Sequence, residues 1–159
     1  MRSGIGFDAH RLVVGRKLVI GGVAIPHHMG LEGHSDADVL THAIIDALLG
    51  AASMGDIGTL FSSDDPDLAG VDSTKLLAKV CEYVRGAGWD IDHVDSTIIA
   101  QAPRMSPYIG AMRDKISKVM EIPLTSVSIK ATTTDGLGPW GREEGIAALA
   151  VCNISRKDE

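Results

Sequence analysis

The chain is predicted to form one domain, residues 1–159, of the α/β (α+β) class: a mostly four-stranded mixed sheet backed by helices, with a small hairpin beside it. Three observations predict this. Strand-like alternation and helix-like periodicity take turns along the chain, and its middle and end read strand–helix–strand. The 159 residues match the size of one domain and contain no internal repeat or low-complexity linker. Hydrophobic residues make up 45% of the chain but aromatics only 4%, so Ile, Leu, Val and Ala must fill an ordinary core.

Taken in order, Ser3–Leu12 reads as the first strand. Lys17–Gly21 and Gly22–Pro26 are two short apolar runs meeting at Gly21-Gly22, a hairpin signal. Residues 26–34 read as an irregular loop. Ser35–Ala52 carries the strongest helical pattern, with Ser35 as N-cap and Asp38 three residues later, as in a capping box. Leu40, Ile44, Ala47, Leu48 and Ala51 form its apolar stripe. Residues 53–72 form a long polar loop with Asp56, Asp64, Asp65 and Asp67, and loops of that length in small domains are usually functional. Ser73–Arg85 is a second helix stopped by Gly86 and Gly88. His93–Ala102 alternates as a strand and ends at Pro103. Pro107–Met120 is a third helix, and Val127–Thr132 and Ile146–Ser155 are strands.

The net charge of −6 excludes a broad basic face for nucleic acid. It leaves room for a local phosphate pocket, because backbone amides and metals hold phosphates without a basic surface. Cys81 and Cys152 are expected to be buried, reduced thiols. No apolar run approaches the roughly 18 residues of a membrane span, and residues 1–10, with Asp8 and His10, lack the apolar core of a signal peptide. The expected location is the cytoplasm, or the plastid stroma for a trimmed plant-type chain.

Four clusters carry chemistry. Asp8 and His10 alternate on a strand and share a face, where one metal can take both. His42, on the following helix, is a candidate third ligand, and two histidines with one carboxylate suit a catalytic zinc that keeps an open position. Asp38, His42 and Asp46 share one helix face at four-residue spacing, so Asp38 and Asp46 are candidates to accept the second N–H of a metal-bound His42. His34 and Ser35 stand at the expected helix start, where amides attract phosphate. Lys130, Thr132, Thr133, Thr134 and Asp135, beside Gly136 and Gly138, offer hydroxyls and a carboxylate for a diphosphate and a hard cation. Ala100, Gln101, Ala102, Pro103, Arg104 and Met105 form a small-residue loop able to read a nucleobase edge. His27, His28 and His93 are assigned to surface or core.

Each cluster also has a plain structural reading: a solvated helix face, a simple N-cap, a β-branched strand end. Their combination is more specific. Gly6-Phe7-Asp8-Ala9-His10, Gly33-His34-Ser35-Asp36-Ala37-Asp38-Val39, Asp46 to Ala52, Gly55-Asp56-Ile57-Gly58, Asp95 to Pro103, Lys130 to Thr134, and Gly141-Arg142 with Glu144-Gly145 occur in one order from residue 4 to about residue 152. In this the chain resembles the 2-C-methyl-D-erythritol 2,4-cyclodiphosphate synthase family.

The resemblance implies a homotrimer with three interfacial active sites that closes a CDP-linked methylerythritol phosphate into a cyclic diphosphate and releases CMP. It implies zinc on Asp8, His10 and His42, and magnesium or manganese on Asp135 with the substrate. His34 and Thr133 would steady the transition state. Asp8, His10, His34 and Ser35 would meet the substrate beside Asp56, Ile57, Gly58 and Phe61, with Ser62, Ser63, Asp64 and Asp65. The CDP part would lie against Ala100 to Ser106 (Ala100, Gln101, Ala102, Pro103, Arg104, Met105, Ser106) and Thr132 to Asp135. Pro139 and Arg142 complete the implied contacts, and Arg142 with Glu144 would line an axial cavity that accepts an isoprenoid diphosphate. The chain departs from the family's usual pattern at Asp135 (commonly Glu), Arg104 (commonly Lys), Glu143 (commonly Gly) and Pro139-Trp140. A water-using zinc phosphohydrolase, and a trimeric binding module with structural zinc, are the competing readings.

Overall fold

Residues Ile5 to His10 alternate apolar with polar or glycine, and the longest strand forms around them. A computed structural model describes residues 1–157. Its strands are β1 (Arg2–Val14), β2 (Leu18–Ile20), β3 (Val23–Ile25), β4 (Met29–Leu31), β5 (Trp89–Ile99), β6 (Val127–Thr132) and β7 (Gly145–Arg156). Its helices are α1 (Val39–Ala52), α2 (Ile57–Leu60), α3 (Ser73–Gly86), α4 (Ile109–Met120) and α5 (Gly138–Gly141). Among the described residues no helix is long and apolar enough to cross a membrane.

The main sheet has five strands in the order β4-β1-β7-β5-β6, and β2-β3 form a separate two-stranded sheet. Only β5 and β6 pair in parallel, so the sheet is mixed as expected. The fifth strand is β4, which pairs with Leu12–Val14 inside the segment expected to be irregular. Three residues are too few to display a period, and only their partner makes them a strand. The hairpin turns at Gly21 and Gly22, both at positive φ (58° and 71°), as a tight turn between right-twisted strands requires.

The best-patterned helix starts four residues later than its sequence suggests. Ala37 is left-handed (φ 56°), which ends any helical run before it, and Asp38 is the N-cap, its side chain accepting from Thr41 N. Ser35 is therefore not an N-cap, and His34 and Ser35 lie in the turn ahead of α1 rather than on its first amides. Asp38 is fully buried and also accepts from Gly21 N (2.8 Å), Gly22 N (2.7 Å) and Thr41 Oγ1 (2.8 Å). One carboxylate thus ties the hairpin turn to the start of α1. Burial pushes that carboxyl up, and its amide hydrogen bonds pull it back only in part.

α1 is buried nearly all round, as a helix lodged between a sheet and a second helix must be. It lies against β1 because two residues of that strand have no side chain. A Cβ at Gly4 would stand 2.0 Å from the Ala47 carbonyl oxygen, and one at Gly6 would stand 1.9 Å from that of Ala43. With glycine the two backbones touch. Asp8 and His10 continue the same strand face and so point at the first turn of α1, where His42 is. The opposite face of the strand leaves Ile5 at 71% and Phe7 at 53% exposure.

Gly6→Ala is expected to cost about 3 kcal/mol, because overpacking against a backbone carbonyl cannot be relieved by a rotamer change. For a domain of this size that lowers Tm by roughly 6–12 °C, measured by circular dichroism. An unchanged Tm would show that the helix and strand do not need this approach.

Candidate active site

Three donor atoms from two elements converge. Asp8 Oδ2 lies 2.8 Å from His10 Nε2 and 3.0 Å from His42 Nδ1, and the two ring nitrogens are 3.3 Å apart. All are within 4.8 Å of one another. A tetrahedral zinc about 2.0–2.1 Å from each ligand sets its ligand atoms roughly 3.3 Å apart, so the triangle fits three of the four positions.

The remaining hydrogen bonds decide what these atoms present. His10 Nδ1 is 2.7 Å from the Glu32 carbonyl oxygen, which can only accept, so that nitrogen carries the proton and Nε2 offers a lone pair. His42 Nε2 is 2.8 Å from Ser73 Oγ, whose own proton goes to Asp36 Oδ1. His42 therefore donates from Nε2 and offers a lone pair at Nδ1. With a cation at the centre in place of a proton shared with Asp8, two imidazole lone pairs and the carboxylate oxygen face one point.

The electrostatics agree. Burial pushes the Asp8 carboxyl up, but hydrogen bonds to His10 and His42 hold it well below the usual carboxylate range. Burial pushes His10 down, but its hydrogen bond to Asp8 wins and raises it. Both shifts record the attraction between the Asp8 carboxylate and the imidazoles beside it.

The triad forms one wall of a cavity of about 250 Å³. His34, Ser35, Ile57, Gly58, Phe61, Ser62 and Ser63, which the family resemblance groups together, line it with Leu68, Val71 and Leu76. Leu76 belongs to a helical stripe, and Leu68 and Val71 are among the apolar residues of the otherwise polar 53–72 segment, which is the signal the sequence carries. Asp56 does not line the cavity. It caps α2 through Thr59 N and Thr59 Oγ1, both at 2.8 Å, and these bonds lower its pKa. Asp64 is also outside it, and Asp65 caps the turn at Asp67 while its carbonyl takes the His34 ring at 2.8 Å.

The expected carboxylate support for His42 is corrected. Asp38 is spent on the hairpin and cap, and Asp46 accepts from Ile57 N at 2.8 Å, fixing α2 instead. Burial raises the Asp46 carboxyl, with the Ile57 bond opposing it. The His42 ring bonds instead to Ser73 and Ser35, residues from outside its own helix.

A second pocket, about 400 Å³, is lined by Ala100, Gln101, Pro103, Arg104, Met105 and Ser106 together with Ala131, Thr132 and Thr133. It shares no lining residue with the first. His34 and Thr133 thus sit in different pockets of one chain. Ala102, Thr134 and Asp135 do not line it. Asp135 is left-handed (φ 52°) and accepts from Thr133 Oγ1 at 3.2 Å, while Gly136 N donates to Gln101 Oε1 at 3.1 Å, tying this turn to the 100–106 loop. Lys130 is occupied by an ion pair with Asp95. Pro139 lines a third recess beside His10, Arg11 and Glu144. Arg142 pairs with Glu144 at 2.8 Å within the chain. Cys81 and Cys152 are free and buried, as expected, and burial pushes the Cys81 thiol up to about 12.

Residues 1–155 match the model of the YgbB family. A 2-C-methyl-D-erythritol 2,4-cyclodiphosphate synthase of Synechococcus elongatus is 55% identical over 155 residues, covering 98% of this chain and 97% of the relative. The synthase of that name from Desulforamulus reducens is 53% identical over 156 residues, 98% of this chain and 99% of its own. Among solved structures, IspF of Plasmodium falciparum in complex with CDP superposes with a TM-score of 0.87 at 32% identity, over 99% of this chain and 97% of that one. The bifunctional IspDF of Campylobacter jejuni gives 0.95 at 38% identity over 99% of this chain, which spans 42% of the IspDF chain.

His42→Ala is expected to abolish tight zinc uptake, because two ligands do not make a site that uses three. Zinc per chain after dialysis, read by mass spectrometry beside an unfolding curve, checks it. A folded variant that keeps one tightly bound zinc per chain would contradict the assignment.

Proposed function

The chain belongs to the YgbB family, the 2-C-methyl-D-erythritol 2,4-cyclodiphosphate synthases, and from that premise we propose how its residues serve the reaction. The reaction converts 4-diphosphocytidyl-2-C-methyl-D-erythritol 2-phosphate to the 2,4-cyclodiphosphate and CMP, a step of non-mevalonate isoprenoid precursor synthesis. An oxygen of the 2-phosphate forms a bond to the β-phosphorus, the bond from that phosphorus to the bridging oxygen breaks, and CMP leaves. It is a cyclising phosphorus–oxygen lyase reaction.

The observation that carries the reading is the convergence of three lone pairs from Asp8, His10 and His42 on the wall of the first cavity. We assign zinc to that triad, and magnesium or manganese to Asp135 when substrate phosphates are present. Bound there, these cations would neutralise phosphate charge and polarise the β-phosphoryl group. The chain's own residues supply the positioning. Phe61, Ile57 and Gly58 enclose the methylerythritol end, Ser62 and Ser63 offer it hydroxyls, and the 100–106 loop and Thr132 hold the CDP end. His34 and Thr133 are assigned to steady the phosphoryl transition state from either side. No general base is required, since a phosphate monoester has a second pKa of about 6 and is largely dianionic at neutral pH. Holding two ends of a flexible substrate in line removes much of what remains of the barrier.

The two pockets of one chain share no residue, and the sheet face opposite α1 is bare and apolar at Ile5, Phe7, Leu149 and Val151. Both observations support a homotrimer in which the first pocket of one copy meets the second pocket of its neighbour. Arg142 and Glu144, on the segment leading into β7, are assigned to the axis, where Arg142 would hold an isoprenoid diphosphate by charge-assisted hydrogen bonds. The cytoplasm is the proposed location.

With the CDP-linked substrate, zinc and magnesium, phosphorus NMR is expected to record cyclic diphosphate and CMP appearing together. Linear hydrolysis products would point to a phosphohydrolase, and no turnover to a binding module. Separately, His42→Ala and Thr133→Ala, each inactive alone, are expected to recover part of the activity when dissociated and reassembled together. Confirmed mixed trimers without activity would place each site within one chain.

A further inference from the structure

His42 is the one ligand of the triad that comes from a helix, and its ring could offer either nitrogen to a cation. We propose that Ser73 and Asp36 form a positioning relay that fixes the His42 proton on Nε2 and so presents Nδ1 to a divalent cation held with Asp8 and His10. The inference rests on the reading of the triad as a cation site.

Ser73 is fully buried at the first position of α3. Its hydroxyl has one proton, which goes to Asp36 Oδ1. Toward His42 Nε2, 2.8 Å away, it therefore turns only lone pairs, and the ring nitrogen must donate. Asp36 is itself held fast. Its Oδ2 accepts from Ser73 N at 3.0 Å, its Oδ1 from Asp38 N at 3.1 Å, and its own N–H donates to Val71 O at 3.1 Å. A carboxylate with these partners cannot turn away from the hydroxyl or give it a proton.

Reversing the relay shows what it prevents. If the Ser73 proton pointed at His42, Nε2 would accept it, and the ring's own proton would sit on Nδ1, facing Asp8. That proton would occupy the point where the three donors meet. Ser35 Oγ also lies near Nε2, at 3.2 Å, and accepts from Ala37 N. Its proton is not tied to a carboxylate, so it cannot impose a direction on the ring. The relay also places negative charge behind the imidazole, which strengthens Nδ1 as a donor. Because Ser73 begins α3 and Asp36 precedes α1, the packing of these two helices sets the chemistry of a ligand that belongs to one of them.

The test is zinc affinity, measured by competition with a chromogenic chelator, in full-length Ser73→Ala, Ser73→Thr and Asp36→Asn, with thermal melts as the folding control. Ser73→Ala is expected to weaken zinc on the order of tenfold or more, and Ser73→Thr to restore it to within about threefold of the parent. Asp36→Asn, which never touches His42 but can donate to Ser73, is expected to weaken it comparably to Ser73→Ala. The relay is overturned if Ser73→Ala binds zinc within about threefold of the parent, or if Thr and Ala at this position weaken it alike. A parent chain that takes up no zinc overturns the cation reading of the triad itself, and the relay with it.

Discussion

Backbone contact between α1 and β1 is the constraint on which the site depends. It exists because Gly4 and Gly6 leave nothing between the strand and the Ala43 and Ala47 carbonyls. A helix standing off by the usual side-chain layer would carry His42 several ångströms from Asp8. With the layer removed, a strand and a helix far apart in sequence bring ligand atoms within 3.3 Å of one another. The same face of β1 thus does two jobs in succession: glycines that admit the helix, then candidate metal ligands that meet it.

Proximity alone would leave the ring orientations open. Here the second partner of each imidazole determines the first. The Glu32 carbonyl takes the His10 proton, and the hydroxyl of Ser73, committed to Asp36, takes the His42 proton. Asp8 needs no such instruction, since an ionised carboxylate only accepts. The depressed Asp8 and raised His10 are two records of one attraction, between the Asp8 carboxylate and the imidazole beside it.

Much of this was legible beforehand, because it follows from period. Alternation placed Asp8 and His10 on one face, helical spacing put His42 on the helix behind them, and the segments lining both pockets stood out as a long polar loop and a small-residue loop. The misses are places where local pattern is silent. β4 is too short to have a period and exists only through its pairing with β1. The left-handed Ala37 moved the start of α1 away from a plausible capping box at Ser35, since nothing marks an alanine as left-handed. Four-residue spacing points to Asp38 and Asp46, on the same helix, as partners of His42. The ring's partners came from across the loop, at Ser73 and Ser35, because burial drew Asp38 toward three amides that had no other acceptor. Contacts between distant segments are what a period cannot encode.

The two separate pockets and the exposed apolar sheet residues are what the proposed homotrimer would bring together, with the triad as the fixed point of each proposed site. The most direct test of that centre is anomalous diffraction at the zinc edge from crystals grown with zinc. The strongest peak is expected about 2.0–2.1 Å from Asp8 Oδ2, His10 Nε2 and His42 Nδ1 together. A principal peak on other residues, or one that meets His42 through Nε2, would contradict it.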